Sequence, residues 1–319
     1  MKKITVIDTS ICTKNMGDQI IMKSVMAELG NLFPGAFFMH IPSHDYIASE
    51  SYKLIDQSDL VIVGGTNLLS SNMDSYNQWK IGKPDMKKLS NVVLLGVGWW
   101  QYQESPNRFT GKLLRQVLSD SIPHSVRDRY TQFKLREIGM ANVINTSCPT
   151  TWTLTPDHCA AIPKEKGAEV VMTLTDYNRD PDRDKYLWEI LRRAYEKVYF
   201  WIQGMGDYEY ARDLFGDQVE YVDPTLQAFE DVLSESTSRD YVGTRLHAGV
   251  YALKHGRRSI IVSVDNRATE ISNDLGLPIV ERNELSKLKE MNVSSLETKL
   301  ELPQADIDQW RNSVSAAVG

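Results

Sequence analysis

Short apolar runs alternate with longer stretches of mixed polarity along most of the chain, and many of the runs are rich in β-branched residues. In the first half the runs lie at residues 4–7, 36–40, 60–63, 92–95, 122–126 and 143–144. Helix-like segments lie between several of them, at residues 18–29, 110–119 and 128–138. The run at 92–95 is apolar at every position, which is typical of a strand covered on both faces. This alternation predicts parallel βαβ units.

The pattern is interrupted near the middle of the chain and then begins again. Thr155-Pro156-Asp157 marks the break, and the polar segment 160–167 is interpreted as a linker. The later predicted strands lie at 170–174, 197–201, 219–222, 241–242, 260–262 and 278–280, and the helices at 182–195, 208–215, 225–234, 245–254 and 267–275. The sequence therefore predicts an α/β protein with two tandem domains, residues 1–160 and 161–319, and a cleft between them.

The residues after 283 are charged and helix-like, and they contain Trp310. We expect them to form closing helices of the second domain. Two roles stay open for the part beyond residue 290: packing back on the first domain, or forming a contact between subunits of a homo-oligomer.

The composition excludes several classes of protein. Of the 319 residues, 42% are hydrophobic and 24% are charged, as in ordinary globular proteins, which argues against a disordered chain or a collagen-like fibre. The net charge is −6, so no basic excess is present to bind a nucleic acid. Cys12, Cys148 and Cys159 lack the spacing of a disulfide framework or a zinc site. We expect no nucleic-acid partner and no bound metal.

No segment of the sequence predicts a leader or a transmembrane helix. The first apolar run stops at Asp8, well short of the hydrophobic region of a signal peptide. The longest uncharged apolar run, at 92–100, is far shorter than the roughly 20 residues that cross a bilayer. The interpretation is a cytoplasmic protein.

Glycines, cations and carboxylates follow six of the predicted strands. The segments are Asp8-Thr9-Ser10, Gly64-Gly65-Thr66-Asn67, Gly96-Val97-Gly98-Trp99-Trp100, Arg127-Asp128-Arg129, Gly243-Thr244-Arg245-Leu246-His247 and Asp265-Asn266-Arg267. Ligands of open α/β sheets bind outside the carboxyl ends of the strands, so these segments are candidates for a binding site. The alternative is that they supply turn and N-cap residues. That alternative explains the glycines well and Arg127, Arg245 and His247 poorly.

The Arg245–His247 pair is the clearest candidate for an anion site. If a helix begins near Thr244, both side chains lie at its start, where free N–H groups and the helix dipole attract anions. Arg245 offers a planar fork to a carboxylate or phosphate, and His247 is of the residue type that titrates near neutral pH. Arg127 likewise opens the helix after its strand, although a surface ion pair with Asp128 is an alternative explanation.

Three aromatic residues follow the strand at 92–95. Trp99, Trp100 and Tyr102 could stack on a sugar ring, or they could pack against a neighbouring helix. The sequence has no phosphate-binding loop of the NTPase type, no HExxH motif and no GxSxG elbow, and its Gly96-Val97-Gly98 is too short for a dinucleotide fingerprint.

In their order along the chain, these motifs resemble those of the polysaccharide pyruvyl transferase family. They are Gly17-Asp18, Gly64-Gly65-Thr66-Asn67-Leu68-Leu69, Gly96-Val97-Gly98, Ser125-Val126-Arg127-Asp128, Cys148-Pro149-Thr150, Arg245-Leu246-His247 and Asp265-Asn266-Arg267. The resemblance covers approximately residues 8–280. It implies a GT-B-like fold, with two Rossmann-type domains whose mostly parallel sheets face each other across a cleft. The acceptor would lie on the N-terminal domain and the donor on the C-terminal domain.

The resemblance also implies an activity. Pyruvate would pass from phosphoenolpyruvate (PEP) to two hydroxyls of a sugar in an exopolysaccharide or a lipid-linked glycan precursor, giving a cyclic ketal and phosphate, without a cofactor. The expected PEP contacts are Arg127, Thr244, Arg245, Leu246 and Arg267. The expected acceptor contacts are Asn67, Trp99, Trp100 and Tyr102. His247 is the candidate acid for the PEP methylene, and Asp18 is the candidate base for an acceptor hydroxyl.

Two positions depart from the family pattern, and two other functions stay open. Gln19 stands where the family usually has a glutamate and cannot act as an acid or base, while Arg267 stands where a lysine is common. The first alternative is a nucleotide-sugar-dependent glycosyltransferase of GT-B fold, with Arg245 and His247 on a diphosphate. The second is a non-catalytic carbohydrate- or anion-binding relative, which Gln19 would suit.

Overall fold

The computed structural model describes residues 1–318 and contains twelve strands and twelve α-helices in that range. The strands are β1 (Lys3–Asp8), β2 (Phe37–Pro42), β3 (Leu60–Gly64), β4 (Val92–Leu95), β5 (His124–Val126), β6 (Val143–Asn145), β7 (Glu169–Thr173), β8 (Lys197–Trp201), β9 (Glu220–Val222), β10 (Arg239–Gly243), β11 (Ser259–Ser263) and β12 (Ile279–Glu281). The helices are α1 (Met16–Leu32), α2 (Ser49–Asp56), α3 (Arg108–Val117), α4 (Arg129–Glu137), α5 (Pro156–Ala160), α6 (Pro181–Ala194), α7 (Asp207–Phe215), α8 (Leu226–Ser234), α9 (Leu246–Lys254), α10 (Asn266–Leu275), α11 (Ser286–Val293) and α12 (Gln304–Val318).

The chain folds into two compact units, each with its own core. Unit 1 comprises Met1–Thr13, Ile21–Pro149 and the residues from Leu302 onward, and unit 2 comprises Lys14–Ile20 and Thr150–Glu301. The start of α1 therefore belongs to unit 2 and the rest of that helix to unit 1.

Unit 1 is built on a parallel sheet with the strand order β2-β1-β3-β4. The parallel pair β5-β6 continues beside β4, where the Gly96 N–H donates to the Ser125 carbonyl at 3.0 Å. The order resembles that of flavodoxin-like sheets. Every residue of β3 and β4 is buried, as the apolar run at 92–95 predicts for a strand between two helical layers.

Helix α12 completes unit 1, which answers the question left by the sequence. It packs against β5 and β6, and its Trp310 is fully buried. Arg311 forms a two-pronged ion pair with Glu28 of α1, with Nε–Oε1 and Nη2–Oε2 distances of 2.7 and 2.8 Å. This segment therefore belongs to unit 1 and not, as predicted, to the second domain.

Unit 2 has a six-stranded parallel sheet with the order β12-β11-β10-β7-β8-β9. Counted within the unit this is 3-2-1-4-5-6 read from the opposite edge, the strand order of Rossmann folds. The order reverses between β7 and β10, the place where such sheets bind ligands beyond the carboxyl ends of their strands. The fold thus directs attention to the residues that follow these two strands.

All twelve predicted strands are present, with ends that differ by one or two residues in most cases. Two short helices, α2 and α5, were not predicted. Helix α5 begins at Pro156, within the segment that was predicted to interrupt the pattern. Thr155 and Pro156 allow a helix to start there, because Thr155 caps it and a proline is tolerated in the first turn. None of the helices within residues 1–318 is both long enough and apolar enough to cross a bilayer.

Candidate functional site

The loops after β7 and β10 are joined by side-chain and backbone hydrogen bonds at the switch point of unit 2. The Thr244 N–H donates to the Thr173 carbonyl at 3.0 Å, and the hydroxyls of Thr175 and Thr244 lie 2.8 Å apart. A side-chain carbon at Gly243 would overlap Thr173, so only glycine permits this approach. The hydroxyl of Thr244, an expected PEP contact, is therefore already bonded within the protein.

Arg245 is held by groups that follow two other strands, β7 and β8. Its side chain is only 3% exposed, Nε donates to the Leu174 carbonyl at 2.9 Å, and Nη2 donates to Asp176 at 2.8 Å and to Asp207. Burial alone would lower the pKa of Arg245, but the interactions with Asp207, Tyr177 and Asp176 together outweigh burial and raise it. The guanidinium is therefore a fixed cation with two carboxylate partners, and its Nη1 makes no hydrogen bond within the described part of the chain.

Arg245 is also the N-cap residue of α9, and no side chain caps this helix. His247 is the second residue of the helix and is nearly buried. Leu246, an expected PEP contact, has a buried side chain, so only its backbone is suited to meet a ligand. The start of α9 thus combines an uncapped helix end, a fixed arginine and a histidine, an arrangement suited to an anion.

Arg267 lies at the start of α10 and is likewise paired with a carboxylate. Its Nε lies 3.0 Å from each carboxylate oxygen of Asp265, and its Nη2 donates to Asp265 at 2.5 Å and to the Tyr177 hydroxyl. The Tyr177 ring lies between the two arginines, with its centroid 5.2 Å from Cζ of Arg245 and 5.7 Å from Cζ of Arg267. Tyr177 is 58% exposed and forms the open side of this cluster.

The start of α1 belongs to the same unit as Arg245. The Met16 N–H donates to the Gln203 carbonyl at 2.9 Å, and the Gln203 side chain donates to Asn15 Oδ1 at 2.7 Å. A carbon added at Gly17 would lie 2.8 Å from Gln203 Nε2, so the tight packing favours glycine here. Asp18 is buried in this segment. Asp18 was predicted to lie on the N-terminal domain, which is wrong. Its segment groups with unit 2, which also contains Arg245 and His247.

Arg127 and Asn67 come together in unit 1, after β5 and β3. The Arg127 side chain is only 1% exposed, donates from Nη1 to Asn67 Oδ1 at 2.5 Å, and lies 3.1 Å through Nε from Asp128 Oδ2. A side-chain carbon at Gly98 would overlap the guanidinium. The ion pair with Asp128 offered as an alternative is therefore present, but it is buried rather than at the surface. The expected PEP contact at Arg127 stays a prediction, although Nε and Nη1 of this side chain already have partners in unit 1.

Asp8, which ends β1, has partners of its own in unit 1. It accepts from the Ser10 N–H at 2.7 Å and the Ser10 hydroxyl at 2.6 Å, and its Oδ2 lies 2.8 Å from His40 Nδ1. Burial by itself would raise the pKa of Asp8, but the hydrogen bonds from His40 and Ser10 outweigh burial and lower it. This strand end is a local hydrogen-bonded cluster.

The three aromatic residues expected at the acceptor differ in exposure. Trp99 is fully buried in the core of unit 1 and donates from Nε1 to Gln103 at 3.1 Å, so its proposed stacking on a sugar is wrong. Trp100 is half-buried and lies 4.1 Å from the Tyr76 ring, centroid to centroid. Tyr102 is exposed and meets the Tyr130 ring edge-on at 5.1 Å. Only Trp100 and Tyr102 present ring surface to a ligand.

Four residues around Arg245 and the start of α1 in unit 2 were not predicted from the sequence. They are Asp176, Tyr177, Gln203 and Asp207. The first three follow the predicted strands at 170–174 and 197–201, so inspection of these two strand ends would have found them. Asp207 begins a helix and gave no signal beyond that of a capping residue. Within residues 1–318 no three His, Cys, Asp or Glu side chains are grouped so as to hold a metal ion.

Comparison with solved structures identifies the fold class. MnaA from S. aureus, solved with UDP, is 13% identical with a TM-score of 0.55 over 93% of this chain and 92% of that one. A protein from Listeria monocytogenes described as a UDP-N-acetylglucosamine 2-epimerase is 11% identical with a TM-score of 0.51 over 99% and 90%. At these identities the likeness shows the fold alone, and it confirms the predicted GT-B-like class with two Rossmann-like domains. No curated protein matches the chain significantly.

The family was identified from the sequence. The model of the family described as polysaccharide pyruvyl transferase matches residues 15–266, a range that runs from the start of α1 to the first residue of α10. It includes Asp18, Arg127, Arg245 and His247, which confirms the resemblance noted from the motifs. The chain belongs to the polysaccharide pyruvyl transferase family and is a transferase.

Proposed function

We propose that this transferase moves the pyruvyl group of PEP onto two hydroxyls of a saccharide, forming a cyclic ketal and releasing phosphate. The observation that carries the proposal is the uncapped start of α9, with Arg245 fixed beside it and His247 in its first turn. The backbone N–H groups and the dipole of a helix start without a side-chain cap attract an anion. Family membership makes PEP the anion of choice.

The donor phosphate is proposed to bind at the start of α9. Backbone N–H groups of the first helical turn point at this position, and Arg245 Nη1 adds a side-chain donor. Arg245 pairs with Asp176 and Asp207, and Arg267 pairs with Asp265, so these side chains together carry no net positive charge. The site therefore offers directed hydrogen bonds to an anion. We propose that no cofactor takes part in the reaction.

His247 is the proposed acid and Asp18 the proposed base. His247 gives a proton to the methylene carbon of PEP, and the neighbouring carbon, now oxocarbenium-like, is attacked by a sugar hydroxyl whose proton passes to Asp18. The bond to phosphate then breaks, and a second hydroxyl closes the ketal. The proton of the second hydroxyl restores His247, and the proton held by Asp18 leaves with phosphate, so both side chains return to their starting forms. Gln19 takes no part in these proton transfers.

The proposed acceptor is a saccharide of a polysaccharide or of a glycan precursor. Trp100 and Tyr102 are the acceptor contacts that we retain, because their rings are accessible in unit 1. Asn67 is a weaker candidate, because its side-chain oxygen already accepts from Arg127.

The test is turnover of PEP with a panel of glycan acceptors, followed by phosphate release and by the mass of the product. Wild type should release phosphate only when an acceptor is present. The His247→Gln variant should lose about 10²- to 10⁴-fold in turnover, the usual contribution of an acid or base. His255→Gln, at the other end of α9, is the matched control and should keep full activity.

Three results would contradict the proposal. The first is His247→Gln turnover within a few-fold of wild type, which would remove the acid. The second is stabilisation by UDP or GDP with none by PEP, which would favour a sugar nucleotide as donor. The third is PEP binding without phosphate release on any acceptor, which would indicate a binding protein.

A further inference from the structure

Tyr177 is the exposed member of a cluster whose other side chains are mostly covered. More than half of its side chain is accessible, whereas Arg245 and Asp207 are buried and Arg267 and Asp265 are largely covered. Its ring lies within 6 Å of both guanidinium carbons, a distance at which a cation and an aromatic face attract each other. A ligand that approaches the two arginines from solvent therefore meets Tyr177.

The direction of the hydrogen bond between Tyr177 and Arg267 determines what the phenol offers to a ligand. A guanidinium nitrogen only donates, so the phenolic oxygen is the acceptor in this bond. The phenolic proton therefore points elsewhere and is free to donate. Accepting from a cation also polarises the O–H group and makes it a stronger donor. Arg267 is itself fixed by Asp265, so the phenolic oxygen has a partner in a defined position.

The charges around the cluster indicate which group this donor would receive. Asp176, Asp207 and Asp265 already occupy donor positions of the two arginines. The phosphate is proposed to lie at the start of α9, which leaves the carboxylate of PEP to be recognised. A neutral O–H beside Arg267 suits that carboxylate, because it donates without requiring the arginine to leave Asp265.

We propose that Tyr177 binds the carboxylate of the enolpyruvyl donor through its phenolic O–H and thereby distinguishes PEP from phosphate alone. This inference rests on the proposed function. Tyr177 is a substrate-binding residue in this proposal and takes no part in proton transfer.

The experiment compares the dissociation constants of PEP and of inorganic phosphate in wild type, Tyr177→Phe and Tyr186→Phe by calorimetry. Tyr177→Phe removes one oxygen from an exposed ring and keeps the ring itself. Loss of a hydrogen bond to a charged group should weaken PEP binding by about 10- to 100-fold. Phosphate binding should stay within two-fold of wild type. Tyr186→Phe, a part-exposed tyrosine of α6, should match wild type for both ligands.

Two outcomes would overturn the inference alone. If wild type binds PEP and Tyr177→Phe binds it equally well, the phenol does not contact the donor. If Tyr177→Phe weakens PEP and phosphate equally, it acts by holding Arg267. An Arg267→Gln background separates the two roles: a direct contact with the carboxylate predicts that Tyr177→Phe still weakens PEP binding there, whereas an effect exerted through Arg267 predicts no further loss. Failure of wild type to bind PEP at all would overturn the proposed function and this inference together.

Discussion

Arg127 in unit 1 and Arg245 in unit 2 both follow a strand and both are almost completely buried, yet their surroundings differ. Arg127 is enclosed by Asn67, Asp128 and the glycine at position 98, and its Nη2 has no acceptor in the described part of the chain. Arg245 lies at an uncapped helix start beside an exposed tyrosine. Similar motifs thus produced one closed cluster and one open one, and the residues around each arginine, rather than the motif, determine which of the two forms.

The closed cluster has a structural explanation. Asp128 accepts from Arg127, and its other oxygen accepts from the Thr131 N–H at 2.7 Å and the Thr131 hydroxyl at 2.6 Å, which caps α4. Asn67 links the guanidinium to the loop after β3. Removal of one partner from such a buried pair leaves an uncompensated charge, which costs far more than loss of a surface pair.

The largest expected effect is on the stability of unit 1. Arg127→Ala should lower the free energy of unfolding by about 3–5 kcal/mol, because Asp128 would remain buried without its cation. Urea denaturation measures the change, and Arg136→Ala, an exposed arginine of α4, is the control. If Arg127→Ala is as stable as wild type but no longer binds PEP, Arg127 contacts the ligand. The contrast drawn here between Arg127 and Arg245 would then be wrong.

A second prediction concerns the acid sensitivity of unit 1. Burial lowers the pKa of His124 from 6.5 to about 4, although its hydrogen bond to the Ser119 carbonyl opposes this. As the pH falls from 6.5 to 4, the unfolded chain takes up a proton that the folded chain does not, so stability falls over that window by on the order of 3 kcal/mol. His124→Gln should flatten the dependence of unfolding free energy on pH. An unchanged slope would mean that another group dominates.

The smallest expected effect is at the open cluster. Arg267→Lys keeps the charge but loses the fork that bridges Asp265 and Tyr177, so PEP affinity should fall by about ten-fold, or about 1.4 kcal/mol. The thermal unfolding midpoint should change little, since this side chain retains some exposure. Titration with PEP and a melting curve on the same variant check both parts. A large loss of stability would place Arg267 with Arg127 as a structural residue.

Much of the fold was predictable because strands and helices leave local patterns. The run at 92–95 is apolar throughout and became a strand buried on both faces. Helix α5 was missed because it has five residues, too few for a periodic pattern. The grouping of α1's first turn with unit 2 depends on the contact between Asn15 and Gln203, 188 residues apart, and no local pattern encodes such a pairing.

The candidate site was predictable only in part. Arg245 and His247 stood out because a cation is unusual at a helix start. The carboxylates that hold Arg245 could not be found in this way, because Asp176 and Asp207 come from other strand ends and meet it only after the sheet has formed. The prediction that Trp99 stacks on a sugar was wrong for a similar reason. The sequence of a loop with adjacent aromatic residues does not indicate which side chain packs into the core.

Helix α12 also has a consequence for the order in which the protein is made. Most of unit 1 precedes residues 150–301 of unit 2 along the chain, but its Trp310 and the partner of Glu28 come from the segment that begins at Leu302. All of unit 2 is synthesised before that segment, so unit 2 has its complete sequence while unit 1 still lacks a helix. Of the two units, unit 1 is therefore completed last during translation, and the apolar surface that α12 covers stays exposed until then.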